Sequence, residues 1–313
     1  MDELIKKANV LVEALPYIRA FAGKTIVIKY GGKAMTDPAL KEGFATDVVL
    51  LKYVGLNPVV VHGGGPQIDQ MLKRLAIEPK FRQGVRVTDE ATMEIVEMVL
   101  GGAINKEIAA LISSHGVKAV GLSGKDGGLI LAKPFTRAEW TRKLGTDLGG
   151  LGEHEDYGLV GDVQQINPAL LLTLQGSHVI PVIAPMGVGK DGRTYNINAD
   201  LVAGAVAGAL KAEKLMVLTD VRGIRDEDSK HISTLARKDV ARMVKKGTIS
   251  EGMLPKVQAC LTALDGGAKK AHVVDGRTPH AILLEIFTRI ACGVRPSTTC
   301  AFFAPPSSAV KQA

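Results

Sequence analysis

The chain has 313 residues, a formal net charge of +7, and 4% aromatic residues against 35 glycines. So few rings speak against single-stranded nucleic-acid binding, which stacks bases on aromatic faces, and no apolar run reaches the roughly 18 residues of a membrane span. Three cysteines in no metal-ligand spacing indicate neither a disulfide framework nor a zinc site, so a reducing, cytoplasmic setting is expected.

The charge is spread along the chain. Its last 26 residues contribute Arg289, Arg295 and Lys311 with no acid, leaving +4 for the rest. Anionic small-molecule substrates account for this balance as well as nucleic acid does.

Residues 2–21 place Leu4, Leu11, Leu15 and Ile18 at helical spacing with Gly23 as a stop, which predicts an amphipathic helix lying either on its own domain or on a partner subunit. From Thr25 onward short apolar strands alternate with helical segments. The strands read TIVIKY, PVVVHG, AVGLSG, HVIPVIA, KLMVLTD and KAHVVDG, and helices are predicted over 38–54 and 89–115. This alternation predicts a three-layer αβα sandwich with a mainly parallel central sheet. Residues 128–166 break the rhythm and read as a β-hairpin insertion. No Pro/Ser linker divides the chain, so two lobes sharing one sheet are expected, residues 24–185 and 186–313, behind an N-terminal helix extension over 1–23.

Three glycine-rich turns follow strands: KYGGK (29–33), HGGGPQ (62–67) and SGKDGG (123–128). Glycine lets backbone N–H groups approach an anion, and a helix starting just after adds its positive end, although a tight strand-to-helix connection also uses glycine. GVGKDG (187–192) matches G-x-G-x-x-G, but it leads into polar RTYNINAD with no helix directly after it, so a hairpin turn is the better reading.

Lys29, closing an apolar strand, requires an anion: a substrate, or a structural carboxylate. Lys256 follows Pro255 in the first turn of a predicted helix, where the helix dipole prefers an anion, so a bound phosphate would satisfy both. Asp200 stands at another helix start, as a cap, a plain N-terminal acid or a site carboxylate. Asn196 and Asn198 alternate with it on an extended approach and fall on the same side. Arg86 either holds a carboxylate in bidentate fashion or lies on the surface. Two cations, glycine nests and a carboxylate at one sheet edge are the equipment for phosphoryl transfer between two anions.

Taken in order, VIKYGGKAM, VVVHGGGPQI, QGVRVTDEATMEIVEMVLGGAINKEI, GLSGKDGGL, NINADLVAGAVAGAL, LTDVRGI and SEGMLPKVQACLTAL resemble the N-acetyl-L-glutamate kinases of the amino acid kinase family, over residues 1 to about 288. The resemblance implies ATP-dependent phosphorylation of the γ-carboxylate of N-acetyl-L-glutamate, the second step of arginine biosynthesis, with Mg²⁺ carried on the nucleotide. Lys29 and Lys256 would stabilise the transition state and Asp200 would orient them. Gly31, Gly32 and Gly63 would cradle phosphate. Gly64, Gly65, Arg86, Asn196 and Asn198 would hold the acyl substrate, and Thr219, Asp220 and Gly223 the nucleotide. The N-terminal helix resembles that of members inhibited by L-arginine, which implies a hexamer (a trimer of dimers) with an arginine site near Tyr17 and Glu285. In cyanobacteria and plants such enzymes also bind a nitrogen-signalling protein, a partner this sequence leaves open.

After HAILLEIFT the family pattern is an acidic, glycine-rich segment ending in a strand, whereas this chain continues RIACGVRPSTTCAFFAPPSSAVKQA. Residues 289–313 therefore read either as an out-of-frame terminus or as a replaced one, and the arginine site is the expectation they touch most.

Overall fold

The β-branched run Thr25–Tyr30 forms the first strand, β1, buried along most of its length in the middle of the sheet. The structure is a computed structural model that describes residues 1–139, 156–221, 223–224, 232, 234–249, 252–287 and 299–303. Five more strands run parallel with β1: β2 (Asn57–His62), β5 (Ala119–Ser123), β8 (Ile180–Ala184), β11 (Lys214–Thr219) and β13 (Ala271–Asp275). Their order is β13-β11-β1-β2-β8-β5, the six strands predicted. Beyond β13 the sheet continues with β14 (Thr299–Phe303), parallel to β13, and β12 (Thr234–Ala236), antiparallel to β14. Part of the atypical terminus thus forms a strand inserted between β13 and β12, and the rest of 289–313 lies outside the described residues.

Strand alternation sends neighbouring side chains to opposite faces. Val27 joins one apolar cluster with Val202 and Val206 of a helix over Ala199–Ala209, while Ile26 and Ile28 join another with Val48 and Leu51 of α2 (Pro38–Tyr53). Both faces are therefore covered by helices. Asp37 caps α2 by accepting from the Leu40 N–H at 3.0 Å.

The segment predicted as one helix over 89–115 has three parts: α4 (Glu90–Glu97), a π-helical stretch Met98–Ile104, and α5 (Asn105–Ser114). Asp89 caps α4, its carboxylate accepting from Thr92 N at 2.8 Å. The π stretch contains the adjacent Gly101 and Gly102, residues that do little to hold a regular α ladder.

The hairpin insertion is β6 (Ile130–Pro134) antiparallel to β7 (Val160–Ile166), and residues 140–155 lie outside the described residues. GVGKDG is indeed a hairpin turn, between β9 (Met186–Gly189) and β10 (Thr194–Ile197), with Gly192 at φ +78°. The four strands close into a small barrel, β10-β7-β6-β9.

The N-terminal helix α1 spans Asp2–Phe21. Leu4, Leu11 and Leu15 are 63%, 73% and 51% exposed, so its apolar stripe does not pack on its own domain, and only the last turns, through Tyr17 and Phe21, join the core. Among the described residues no helix is long and apolar enough to cross a membrane.

Candidate active site

Lys29 lies near the carboxyl end of β1, and Asp200 lies in the first turn of the helix over Ala199–Ala209. Asn198 caps that helix, its side-chain oxygen accepting from the N–H groups of Asp200 (2.8 Å) and Leu201 (3.3 Å). The cap is therefore Asn198, which frees Asp200 for another role. Lys29 Nζ lies 3.1 Å from Asp200 Oδ1, an ion-pair distance, and Lys256 Nζ lies 3.4 Å from Oδ2.

Lys256 comes from the first turn of a helix over Leu254–Asp265, with Pro255 among its first residues. Its ammonium also donates to Gly252 O at 3.1 Å. Burial pushes the Asp200 carboxyl upward, but Lys29 and Lys256 outweigh it and hold the group below the ordinary aspartate range. Two cations from opposite ends of the chain are thus held together by one buried carboxylate.

The first glycine turn meets this pair, and the second lies against the first. Gly32 has φ +67°, in the left-handed region, and a Cβ there would lie 2.3 Å from Asp220 Oδ1. A Cβ on Gly31 would lie 2.6 Å from Lys29 Nζ, so the turn is open only because side chains are missing from it. The Asp220 carboxylate accepts from Lys33 N at 2.6 Å, tying the end of β11 to the turn after β1. Thr219, its neighbour, is buried, and its carbonyl accepts from Gly276 N at 2.8 Å. Gly223 is buried with φ +103°.

In the second turn Gly63 N donates to Tyr30 O at 2.8 Å, so its own amide is engaged, while Gly64 and Gly65 open the helix α3 (Gly65–Arg74), whose first N–H groups have no partner within the helix. The third turn closes on itself: the Asp126 carboxylate accepts from Ser123 N at 2.6 Å and Ser123 Oγ at 2.9 Å. Its anion is its own aspartate.

A cavity of about 460 Å³ opens beside Asp200 and Lys256, lined also by Arg86, Asn196 and Asn198 of the expected substrate residues, while Gly64 and Gly65 are not among its lining. Arg86 is held by Asp69 (2.6 Å) and by Gly65 O (3.3 Å), with its guanidinium 4.7 Å from the centre of the Phe81 ring. Asn196 donates to Thr88 Oγ1 at 3.3 Å. The cavity also takes Phe135 and the buried Arg137, just beyond β6, and Gly161 of β7, none of which sequence reasoning singled out. The stretch 128–166 signals a hairpin, and nothing in its spacing says that Arg137 lines the same cavity as Arg86.

Tyr17 and Glu285 come from α1 and from a helix over Ala281–Phe287, which are in contact. Glu285 is buried with Lys214 Nζ at 2.9 Å and the His272 ring against the same carboxylate, and the Phe21 ring centre is 5.9 Å from that ammonium. Burial raises the Glu285 carboxyl, but His272 and Lys214 outweigh it and hold it below the usual range.

The profile of the amino acid kinase family matches residues 24–275. An acetylglutamate kinase of Geotalea uraniireducens is 57% identical over 293 residues, covering 94% of this chain and 98% of that one, and an acetylglutamate kinase of Aquifex aeolicus is 54% identical over the same shares. Among solved structures, an N-acetylglutamate synthase from Neisseria gonorrhoeae complexed with coenzyme A and N-acetyl-glutamate superposes with a TM-score of 0.75 at 25% identity, over 95% of this chain and 64% of that longer one. A carbamate kinase of Giardia shares the fold, with a TM-score of 0.61 at 19% identity, over 90% of this chain and 99% of that one. With its central parallel run of six strands, the family profile matched over residues 24–275 and relatives matched over nearly their whole length, the chain belongs to the amino acid kinase family, within its acetylglutamate kinase branch.

Proposed function

We propose that the protein transfers the γ-phosphoryl group of ATP to the γ-carboxylate of N-acetyl-L-glutamate, giving N-acetyl-L-glutamyl 5-phosphate. The observation that carries this reading is the meeting of Lys29 and Lys256 on Asp200 at the wall of a cavity that Arg86 and Asn196 also line. A carboxylate acceptor and a triphosphate repel one another, and positioned cations on both sides offset that repulsion as the transition state forms. Arg86 and Arg137 suit the acceptor's carboxylates, and the amides of Gly64 and Gly65 suit an oxygen of the transferring group.

In this reading residues 24–185 supply most of the acyl-substrate side and residues 186–313 the nucleotide side, with Thr219, Asp220 and Gly223 next to the phosphates. Among the described residues no three His, Cys, Asp or Glu side chains cluster as metal ligands. Mg²⁺ fits as an ion held chiefly by the phosphate oxygens of ATP, where it would neutralise charge.

L-Arginine as inhibitor and a hexameric assembly belong to the same proposal. The exposed stripe of α1 supports a partner subunit, and the buried Lys214, His272 and Glu285 beneath its last turn support an effector pocket there.

The test is ADP release with N-acetyl-L-glutamate, L-glutamate, L-aspartate and uridylate as separate acceptors, each with and without L-arginine, alongside mass determination by light scattering. Turnover with N-acetyl-L-glutamate alone, suppressed by arginine in a hexamer, is expected. No turnover with that acceptor sinks the reading, and turnover indifferent to arginine removes the regulatory part.

A further inference from the structure

His62 closes β2 immediately before the glycine triplet and is fully buried. Its two ring nitrogens have different partners. Asn105 Nδ2 lies 3.1 Å from Nε2, and Gly63 O lies 2.7 Å from Nδ1. The same Asn105 amide reaches Val182 O at 2.9 Å and Leu122 O at 3.3 Å, acceptors that require the nitrogen of the amide to face this way. An amide nitrogen only donates, so Nε2 must accept and the ring proton must sit on Nδ1, from where it donates to Gly63 O. Burial also pushes the imidazole pKa down, to about 4, which keeps the ring neutral.

Gly63 O belongs to the peptide whose N–H is that of Gly64. In a trans peptide the two point in opposite directions, so holding the carbonyl toward His62 aims the Gly64 N–H away from it. The preceding peptide is pinned as well, by Gly63 N on Tyr30 O at 2.8 Å.

A second, independent contact comes from the π-helical stretch. A Cβ on Gly64 would lie 2.5 Å from Leu100 Cδ2 and 2.6 Å from Ile104 Cδ1, so Met98–Ile104 packs directly against this α-carbon. Asn105 follows that stretch at once. The widened turn therefore sets both the apolar wall behind Gly64 and the amide that fixes the His62 tautomer.

We infer that His62, oriented by Asn105, is a positioning residue for phosphoryl transfer: its Nδ1–H grips Gly63 O and so aims the Gly64 N–H at the transferring group. The inference rests on the kinase reading, and wild-type turnover with N-acetyl-L-glutamate tests that reading separately.

Two variants separate positioning from a core role. In His62→Asn the side-chain nitrogen falls near the Nδ1 position and can still donate to Gly63 O, whereas His62→Gln keeps a polar atom near Nε2 for Asn105 and loses the donor. Each deletes one of the two hydrogen bonds, so a merely structural histidine predicts equal kcat values once folding is matched. The expected result is a kcat at least about tenfold lower in H62Q than in H62N, with KM for N-acetyl-L-glutamate nearly unchanged in both, since an oxyanion donor acts mainly in the transition state.

Equal kcat values in folded variants overturn the inference. Should either variant fail to fold, ¹⁵N imidazole spectra of the wild-type protein decide instead: a protonated Nδ1 and a bare Nε2 at neutral pH are expected, and the opposite tautomer overturns it. If the wild-type protein shows no turnover, the kinase reading fails first.

Discussion

Lys33 and Asp220, 187 residues apart, are joined by a 2.6 Å hydrogen bond from the backbone N–H of the first to the carboxylate of the second. It crosses from the turn after β1 to the end of β11, and it holds Gly32 in a left-handed conformation under the Asp220 oxygens.

Gly32→Ala therefore meets two obstacles, a left-handed backbone costing about 1–2 kcal/mol and a Cβ within 2.3 Å of the Asp220 carboxylate. A lowered thermal midpoint and a large loss of kcat are expected. Adding Asp220→Ala removes the collision, so the double variant recovers part of the stability and none of the activity. A double-mutant cycle in Tm and kcat measures both, and strictly additive Tm changes refute the coupling.

Lys29→Met and Lys256→Met each remove a cation placed to meet developing charge. Each lowers kcat by roughly 100- to 1,000-fold with little change in KM for the acyl substrate. The pair shares one carboxylate, so the two losses are less than multiplicative. Steady-state kinetics of the singles and the double provide the check.

Arg86→Ala and Arg137→Ala act on binding. A charge-assisted hydrogen bond contributes about 1.5–3 kcal/mol, so KM for N-acetyl-L-glutamate rises by about tenfold or more while kcat changes less. Arg137 is the more informative of the two, because only the folded barrel brings it to the cavity. An unchanged KM in R137A removes it from the substrate side.

Asp47 carries a pH signature. Burial pushes its carboxyl up to about 6, and the His280 ring, 2.6 Å away, offsets only part of that. The folded state binds the proton more tightly than the unfolded state, so this group's contribution is fully present below the ordinary aspartate pKa and is lost as pH rises toward about 6. Relative to Asp47→Asn, the wild-type protein should lose stability between about pH 4 and 6 and show a constant difference above pH 7. Urea unfolding across that range decides it, and a flat difference throughout contradicts the assignment.

Lys214 and Glu285 form a buried pair in which each partner needs the other. Glu285→Gln leaves the Lys214 ammonium in the core without a full countercharge, at a cost of about 3–5 kcal/mol, whereas an apolar replacement of both costs far less. Denaturant titration of E285Q and of K214M/E285L should show the single variant as the less stable.

Much of this architecture is legible in the residue order. Six strands were marked by β-branched runs at regular intervals, because burial on both sheet faces demands continuous apolar stretches, and their bounds in the fold depart from the expected ones by at most two residues. Lys29, Asp200 and Lys256 were legible because a charge at a strand end or in a helix's first turn is costly without a partner. The π stretch at Met98–Ile104 was not, since an extra residue per turn leaves the apolar spacing of a long helix almost intact.

By itself the sequence determined the alternation of elements, the glycine turns at the strand ends and the charges that needed partners, all of which are local consequences of backbone sterics, periodicity and desolvation. Only the tertiary structure decided which charges meet: that Lys29 and Lys256 share Asp200, that Arg137 faces the cavity of Arg86, that the third glycine turn is closed by its own Asp126, and that Asn105 sets the proton on His62. Those pairings span up to 171 residues of chain (29 to 200) or turn on a single rotation of an amide, and hydrogen bonding depends on distances of a few tenths of an ångström that no spacing in the sequence encodes.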